Sequence, residues 1–279
     1  MLALDSVTLC GVDTRTPLLA LQALQRSMRE IQFGAAILFA NDRENLRERT
    51  AALGVTLVDI GSIDSIESYS KFMLSGFGSL IPTEFALITQ WDGFVINPNA
   101  WCDKFLAYDY VGALWPDWSD ERAVGNGGFS LRSKRLLKAL TDPAIVVSHP
   151  EDLCICHVNR ERLEREHGIR FAPPSLAARF SYENVPSATP TFGFHGISNL
   201  MNVLTPVEVL NFTRALTIDM TLGAGVRELA RFLVYDGQYE AAHELLRKRI
   251  GGGDRRWRTI SLWARLWLRR RFGVSRRIT

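Results

Sequence analysis

With 279 residues, 47% of them hydrophobic and 23% charged, the chain can bury a full core and has an ordinary soluble composition. The net charge of +3 is uneven, because the last thirty-five residues hold twelve Lys and Arg against one acidic residue, Asp254; the main body is acidic, and nothing in it reads as a nucleic-acid surface. No run of eighteen apolar residues exists, which excludes a membrane-spanning helix. Four scattered cysteines, with no signal peptide ahead of Val7, predict a reducing cytoplasm.

Taken in order, Ser6–Gly11 reads as a strand, and Thr16-Pro17 is a start signal for a helix over Leu18–Met28. Ala35–Phe39 is a second strand, Asn41 or Asp42 a cap for a charged helix to Leu53, and Val55–Ile60 a third strand after Gly54. Repeated strand-helix units build a mostly parallel sheet with helices on both faces, and ligands of such sheets bind beyond the carboxyl ends of the strands. The loop Val12–Arg15 falls at that edge. There Asp13 and Arg15 either contact a nucleotide or form a solvated connection. No GxGxxG follows the strand, which argues against a dinucleotide-binding domain.

Tyr69–Leu80 reads as a helix and Phe85–Thr89 as a buried strand that runs into Gln90-Trp91-Asp92-Gly93. The Asp-Gly pair between FALIT and FVIN is a favoured hairpin turn, and Asp92 is also a carboxylate at a strand's carboxyl end. Ala100–Ala107 reads as a helix, Tyr108–Ala113 returns to the sheet, and Leu114–Val124 is a loop. In that loop Trp115 and Trp118 either stack on a sugar ring or pin the loop to the core. Gly125-Asn126-Gly127-Gly128 precedes the strand Phe129–Arg132; three glycines in four residues allow close backbone approach and exposed amides. Glu151 and Asp152 start a helix to about His167. They either offset its dipole or supply a proton acceptor. Cys154 and Cys156 read as buried helix thiols, since no second ligand pair stands at metal spacing. Ile169–Ala172 and Leu176–Phe180 read as short strands around Pro173-Pro174, and a lone His195 in FGFHG is either a packed turn residue or a ligand.

Beyond Pro206, Val207–Leu216, Val226–Asp236 and Glu240–Ile250 are apolar-periodic helices, the last two resembling one helical hairpin of a tetratricopeptide repeat. Gly251–Gly253 reads as a flexible joint. On a helical projection of Trp257–Phe272, Trp257, Ile260, Trp263, Ala264, Trp267 and Leu268 share one side, with Arg258, Arg265 and Arg269 opposite. Such a helix either docks on the preceding hairpin or lies on an anionic membrane surface, helped by Arg269–Arg271, Arg276 and Arg277. The organisation expected is a domain over 1–205, a helical extension over 206–250 and a basic tail over 251–279.

The motifs QWDG with Asn97-Pro98, VGNGGFSLRS, PED and FGFHG, in this order, resemble the donor-site and catalytic elements of nucleotide-sugar glycosyltransferases of the GT-A fold, and of a bacterial branch of that group with the same signatures. The resemblance covers residues 5 to 200. It implies a GT-A-like, Rossmann-like α/β fold, to which the helices beyond Pro206 add a C-terminal extension, and transfer of a sugar from a nucleotide-sugar donor to a hydroxyl acceptor; a tail on the membrane makes a cell-envelope saccharide or glycolipid the expected acceptor. It further implies Mn²⁺ or Mg²⁺ on Asp92 and His195, with Gln90 where the family has a first acidic residue. Gln90, Trp91, Trp115 and Gly125–Gly128 then lie beside donor and acceptor. Asp152 is the base of an inverting transfer, and Glu151 binds sugar or acceptor hydroxyls. The tail helix, if it lies on lipid, places the enzyme at the inner face of the cytoplasmic membrane. Gln90 also admits a second reading, a catalytically inactive nucleotide-sugar-binding or scaffolding protein.

Overall fold

The computed structural model describes residues 1–42, 45–118, 120–184, 187 and 189–272. By proximity the chain divides into two compact units, Met1–His195 and Gly196–Thr279. The first contains β1 (Leu2–Val12), α1 (Pro17–Ser27), β2 (Ile31–Ala40), α2 (Leu46–Ala52), β3 (Thr56–Asp59), α3 (Ile66–Lys71), β4 (Phe85–Thr89), β5 (Tyr110–Gly112), β6 (Ser130–Ser133) and α4 (Lys134–Ala139). It continues with α5 (Glu151–Leu153), α6 (Arg160–His167), α7 (Pro174–Phe180), β7 (Ser181–Tyr182) and β8 (Gly193–Phe194).

Six strands form one sheet in the order β3-β2-β1-β4-β6-β5. β3, β2, β1 and β4 are mutually parallel, and β6 runs antiparallel between β4 and β5. Both faces are covered, and the strand alternation shows how. Leu9, Leu38 and Leu87 join the core that includes Ala20, Leu21 and Leu24 of α1, whereas Cys10, Ile37, Phe39 and Ile88 pack with Met73, Phe77, Ile81 and Leu137 on the other face. The register Gly11↔Thr89 and Ile88↔Ser130 brings the ends of β1 and β4 and the start of β6 to the same edge. The direction of chain growth reverses between β1 and β4, so the loops at that edge flank a switch point.

Several local expectations fail for identifiable reasons. Leu176–Phe180 is helical rather than extended: Pro174 sits in the first turn, and the buried residues Leu176, Ala177 and Phe180 follow the helical period. Asn41 and Asp42 do not cap α2, whose N-cap is Asn45 at φ 57°. The helix expected over Tyr69–Leu80 instead begins at Ile66, widens over Phe72–Gly76 and tightens over Phe77–Leu80. Ala100–Ala107 forms short tight turns, not an α-helix. The helix from Glu151 is interrupted at Asn159, whose side-chain amide donates to the carbonyls of Cys154 and Val146 at 2.9 and 3.0 Å and competes with the backbone ladder. Ile169–Ala172 contributes only one bridge, Phe171 to Tyr110.

The second unit holds α8 (Leu200–Val203), α9 (Pro206–Ala215), α10 (Ala224–Asp236), α11 (Tyr239–Gly251) and α12 (Trp257–Phe272). Thr205 and Glu208 form a capping box on α9, and Gly237 at φ 85° ends α10. Lys248 is buried and its Nζ donates to the carbonyls of Thr213, Arg214 and Leu216, closing the end of α9. The three glycines do not form a loose tether. Gly252 and Gly253 hydrogen-bond back to α11, and the buried Asp254 carboxylate accepts from Arg249, Arg256 and Thr259. α12 then packs on α10 and α11 through Thr259, Leu262 and Leu266, the two leucines being the residues left off the expected apolar stripe. Arg276 and Arg277 lie outside the described residues. No helix among the described residues is long and apolar enough to cross a membrane.

Candidate functional site

The four motifs meet at the Gly125–Gly128 turn, on the sheet edge where β4 ends and β6 begins. Asn126 takes a left-handed conformation at φ 52°, and its Oδ1 accepts from the Phe129 amide, which turns the chain into β6. Gly127 and Gly128 are required by close packing. A Cβ on Gly127 would lie 2.3 Å from Glu151 Oε1, and one on Gly128 would lie 2.1 Å from His195 Nε2. The turn is thus wedged between the start of α5 on one side and the FGFHG histidine on the other.

The two adjacent carboxylates separate sharply. Glu151 is buried, and its Oε1 accepts from Arg132 Nη2 at 2.8 Å. Arg132 is fully buried in β6, where its Nε also donates to Ser130 Oγ at 3.0 Å. Burial opposes the charge on this guanidinium, but the Glu151 carboxylate outweighs it and raises the Arg132 pKa. The Glu151 carboxylate, expected to bind sugar or acceptor hydroxyls, is thus the counter-charge of a buried arginine through Oε1. Asp152 is half-buried; its Oδ2 accepts from the Gly127 amide at 3.0 Å and its Oδ1 from the Leu153 amide at 2.9 Å. Each oxygen retains a lone-pair direction for one further proton.

At the end of β4, Gln90 and Gly93 close a tight turn through reciprocal backbone hydrogen bonds, with Trp91 half-buried and Asp92 buried. The Gln90 amide is oriented by its Nε2, which donates to Tyr69 Oη at 3.3 Å, so that Oε1 faces His195 Nε2 at 3.1 Å. Asp92 Oδ1 stands 3.5 Å from the same nitrogen, and Glu183 Oε1 stands 2.9 Å from Nδ1. Asn126 Nδ2 also stands 3.1 Å from Nδ1, so that nitrogen is reached by both an amide and the Glu183 carboxylate, while Nε2 faces the Gln90 and Asp92 oxygens and is satisfied there by a ring proton or by a cation. Burial would lower the imidazole pKa, yet Asp92 and then Glu183 push it up to about 10.

The same donor set suits a divalent cation. Neighbouring ligands around an ion at ~2.1 Å lie about 3 Å apart, the spacing of these atoms, and a carboxylate on the far nitrogen is the usual orienting partner of a metal-ligating histidine. Among the described residues no three His, Cys, Asp or Glu side chains form such a group, and the third donor would be the neutral Gln90 amide.

Asp13 and Trp115 make contacts within the fold. Both Asp13 oxygens are taken up at the start of α1 by Arg15 N, Thr16 N and Thr16 Oγ1, each at 2.7 Å, while Arg15 is exposed on the same loop. Trp115 lies against Gly125 and stacks on His157 at 5.0 Å, and Trp118 covers that ring at 4.1 Å, an arrangement that pins the loop. Cys154 and Cys156 are buried and free. Arg132, Tyr69 and Glu183 were missed by motif reading; the signal for Arg132 was an arginine inside an apolar strand, which needs a buried counter-charge.

No curated protein matches the sequence. Among solved structures the chain is similar to the apo-form glycosyltransferase GlyE of Streptococcus pneumoniae TIGR4, with a TM-score of 0.40 and 12% identity, over 68% of this chain and 54% of that one. It thus spans just over half the length of GlyE. A glycosyltransferase involved in glycosylation of the major capsid of PBCV-1 gives 0.38 and 13%, over 72% and 95% of the two chains. Glucosyl-3-phosphoglycerate synthase from Mycobacterium tuberculosis, in complex with Mn²⁺, uridine diphosphate and phosphoglyceric acid, gives 0.32 and 10%, over 47% and 56%. The family described as "Protein of unknown function (DUF5672)" matches residues 52–195, the stretch from β3 to His195 that carries the glycine turn, Asp152 and the Gln90–Asp92–His195 group. That match takes in just over half of the sequence, and the chain belongs to this family.

Proposed function

We propose that this protein transfers a glycosyl group from a nucleotide-sugar donor to a hydroxyl of a cell-envelope saccharide or glycolipid. The observation that carries the reading is the convergence, across one glycine turn, of the half-buried Asp152 carboxylate, held by backbone amides alone among the described residues, on one side and the Gln90, Asp92 and His195 donors on the other. Asp152 is the base. It accepts the proton of the attacking hydroxyl while the new glycosidic bond forms at the anomeric carbon and the bond to the diphosphate breaks, leaving the electron pair on the phosphate oxygen. With Glu151 committed to Arg132, one carboxylate remains for the chemistry, which favours single displacement with inversion. Asp92, His195 and the Gln90 carbonyl would hold Mn²⁺ or Mg²⁺, and the bound ion would neutralise the leaving diphosphate. Glu183 fixes the ring and Tyr69 fixes the amide, so neither donor has to reorganise.

The test separates an enzyme from a silent binder. Donor sugars are screened by thermal shift, and transfer or slow donor hydrolysis is then compared for the native protein and Asp152→Asn. The expected result is unchanged donor affinity with turnover reduced by about two to four orders of magnitude. Equal turnover would end the assignment of Asp152, and donor binding with no turnover in the native protein would favour the binding-protein reading.

A further inference from the structure

Helix α12 has two apolar faces, and only one is used for packing. Thr259, Leu262 and Leu266 are buried, and Trp263 lies over the His243 ring of α11 at 5.1 Å. Asp254, held by Arg249, Arg256 and Thr259, fixes where the helix begins. On the opposite side Trp257, Trp267 and Phe272 are 79%, 56% and 65% exposed, and Ile260 and Leu268 are exposed beside them. At 100° per residue these five side chains occupy an arc of about 140°. Between Arg255 and Phe272 the sequence holds seven arginines and no Asp or Glu. Arg258, Arg265, Arg270 and Arg271 are exposed, and Arg271 lies over the Trp267 ring at 5.5 Å.

We infer that this outward face of α12 docks on an anionic lipid surface, with the helix axis in the plane of the interface. Two tryptophans and a phenylalanine among aliphatic residues, ringed by arginines, match the chemistry of the headgroup boundary, where indole rings and guanidinium groups are both accommodated. A second copy of the chain fits less well. A two-fold contact on this face would bring Arg271, and Arg258 at its rim, together with the arginines of the partner, with no acidic side chain on the helix to separate them. The opposite face is already packed on α10 and α11, so lying on a membrane would require no undocking. This inference does not rest on the proposed glycosyl transfer, and either can fail alone.

The experiment is co-sedimentation of the full chain with phosphatidylcholine vesicles containing increasing phosphatidylglycerol, at low and high salt. Binding is expected to rise with anionic lipid and to fall with salt. Arg258→Gln with Arg271→Gln should lower partitioning about 30-fold, from the usual worth of two arginines at such a surface. Trp257→Ala with Trp267→Ala should lower it at least tenfold, while both doubles keep the native thermal midpoint because the side chains replaced are exposed. No binding to anionic vesicles overturns the inference, as does binding that neither double variant weakens. Vesicle-independent self-association that the tryptophan variant abolishes would assign the face to a second copy instead.

Discussion

Glu151→Gln isolates the role of the first of the two adjacent carboxylates. Arg132 is completely buried, its Nη1 has no hydrogen-bond partner, and its counter-charge is Glu151 at 2.8 Å. Removing one member of a buried ion pair costs about 3–5 kcal/mol because the other charge is left desolvated. Gln keeps an oxygen that can still accept from Nη2, so the lower end applies, about 3 kcal/mol. In a domain of this size about 3 kcal/mol corresponds to a fall of roughly 6–12 °C in the unfolding midpoint. Thermal and urea unfolding followed by tryptophan fluorescence measure it directly. Replacing both partners with apolar residues, Arg132→Met with Glu151→Leu, should recover most of the loss, since neither charge then needs solvating. A Glu151→Gln protein that melts within about 2 °C of the native one, or a double variant no more stable than the single, would refute the counter-charge argument and return Glu151 to the substrate.

The cation reading is checked by Mn²⁺-dependent stabilisation in the presence of a nucleoside diphosphate, with the thermal midpoint as readout. Asp92→Asn and His195→Ala should each abolish it, while Gln90→Asp, which supplies a second carboxylate, should tighten Mn²⁺ binding by about tenfold. An unchanged response in all three variants would show that the ion, if bound, sits elsewhere. Acid should loosen the second unit first. Hydrogen bonds from Arg256, Thr259 and Arg249 outweigh burial and hold the Asp254 carboxyl well below the usual range, so the unfolded chain binds the proton more readily and stability rises with pH in that window. The contribution is complete above about pH 4 and is lost as pH falls further. Exchange-protection of α12 amides should follow that curve, and Asp254→Asn should remove this part of the acid dependence.

Sequence reading reached the parts of this protein that repeat a local pattern. Phe85–Thr89 is a strand with the boundaries its apolar run predicts, and Val226–Asp236 is helical because its buried residues recur at the helical period. Three glycines in four residues announce close packing at the turn, but its partners Asp152 and His195 are named only through the resemblance. What stayed hidden was pairing across sequence distance. Glu151 and Asp152 are neighbours in the same type of position, and nothing local tells them apart. Arg132, nineteen residues upstream, claims one and the Gly127 amide claims the other. The same limit governs α12. A helical projection finds the Trp257–Leu268 stripe but cannot show which face is covered, because Leu262 and Leu266 form a second apolar set. Only the folded chain decides between them: Leu262 and Leu266 are buried where α12 packs on α10 and α11, and the rings of Trp257 and Trp267 remain exposed.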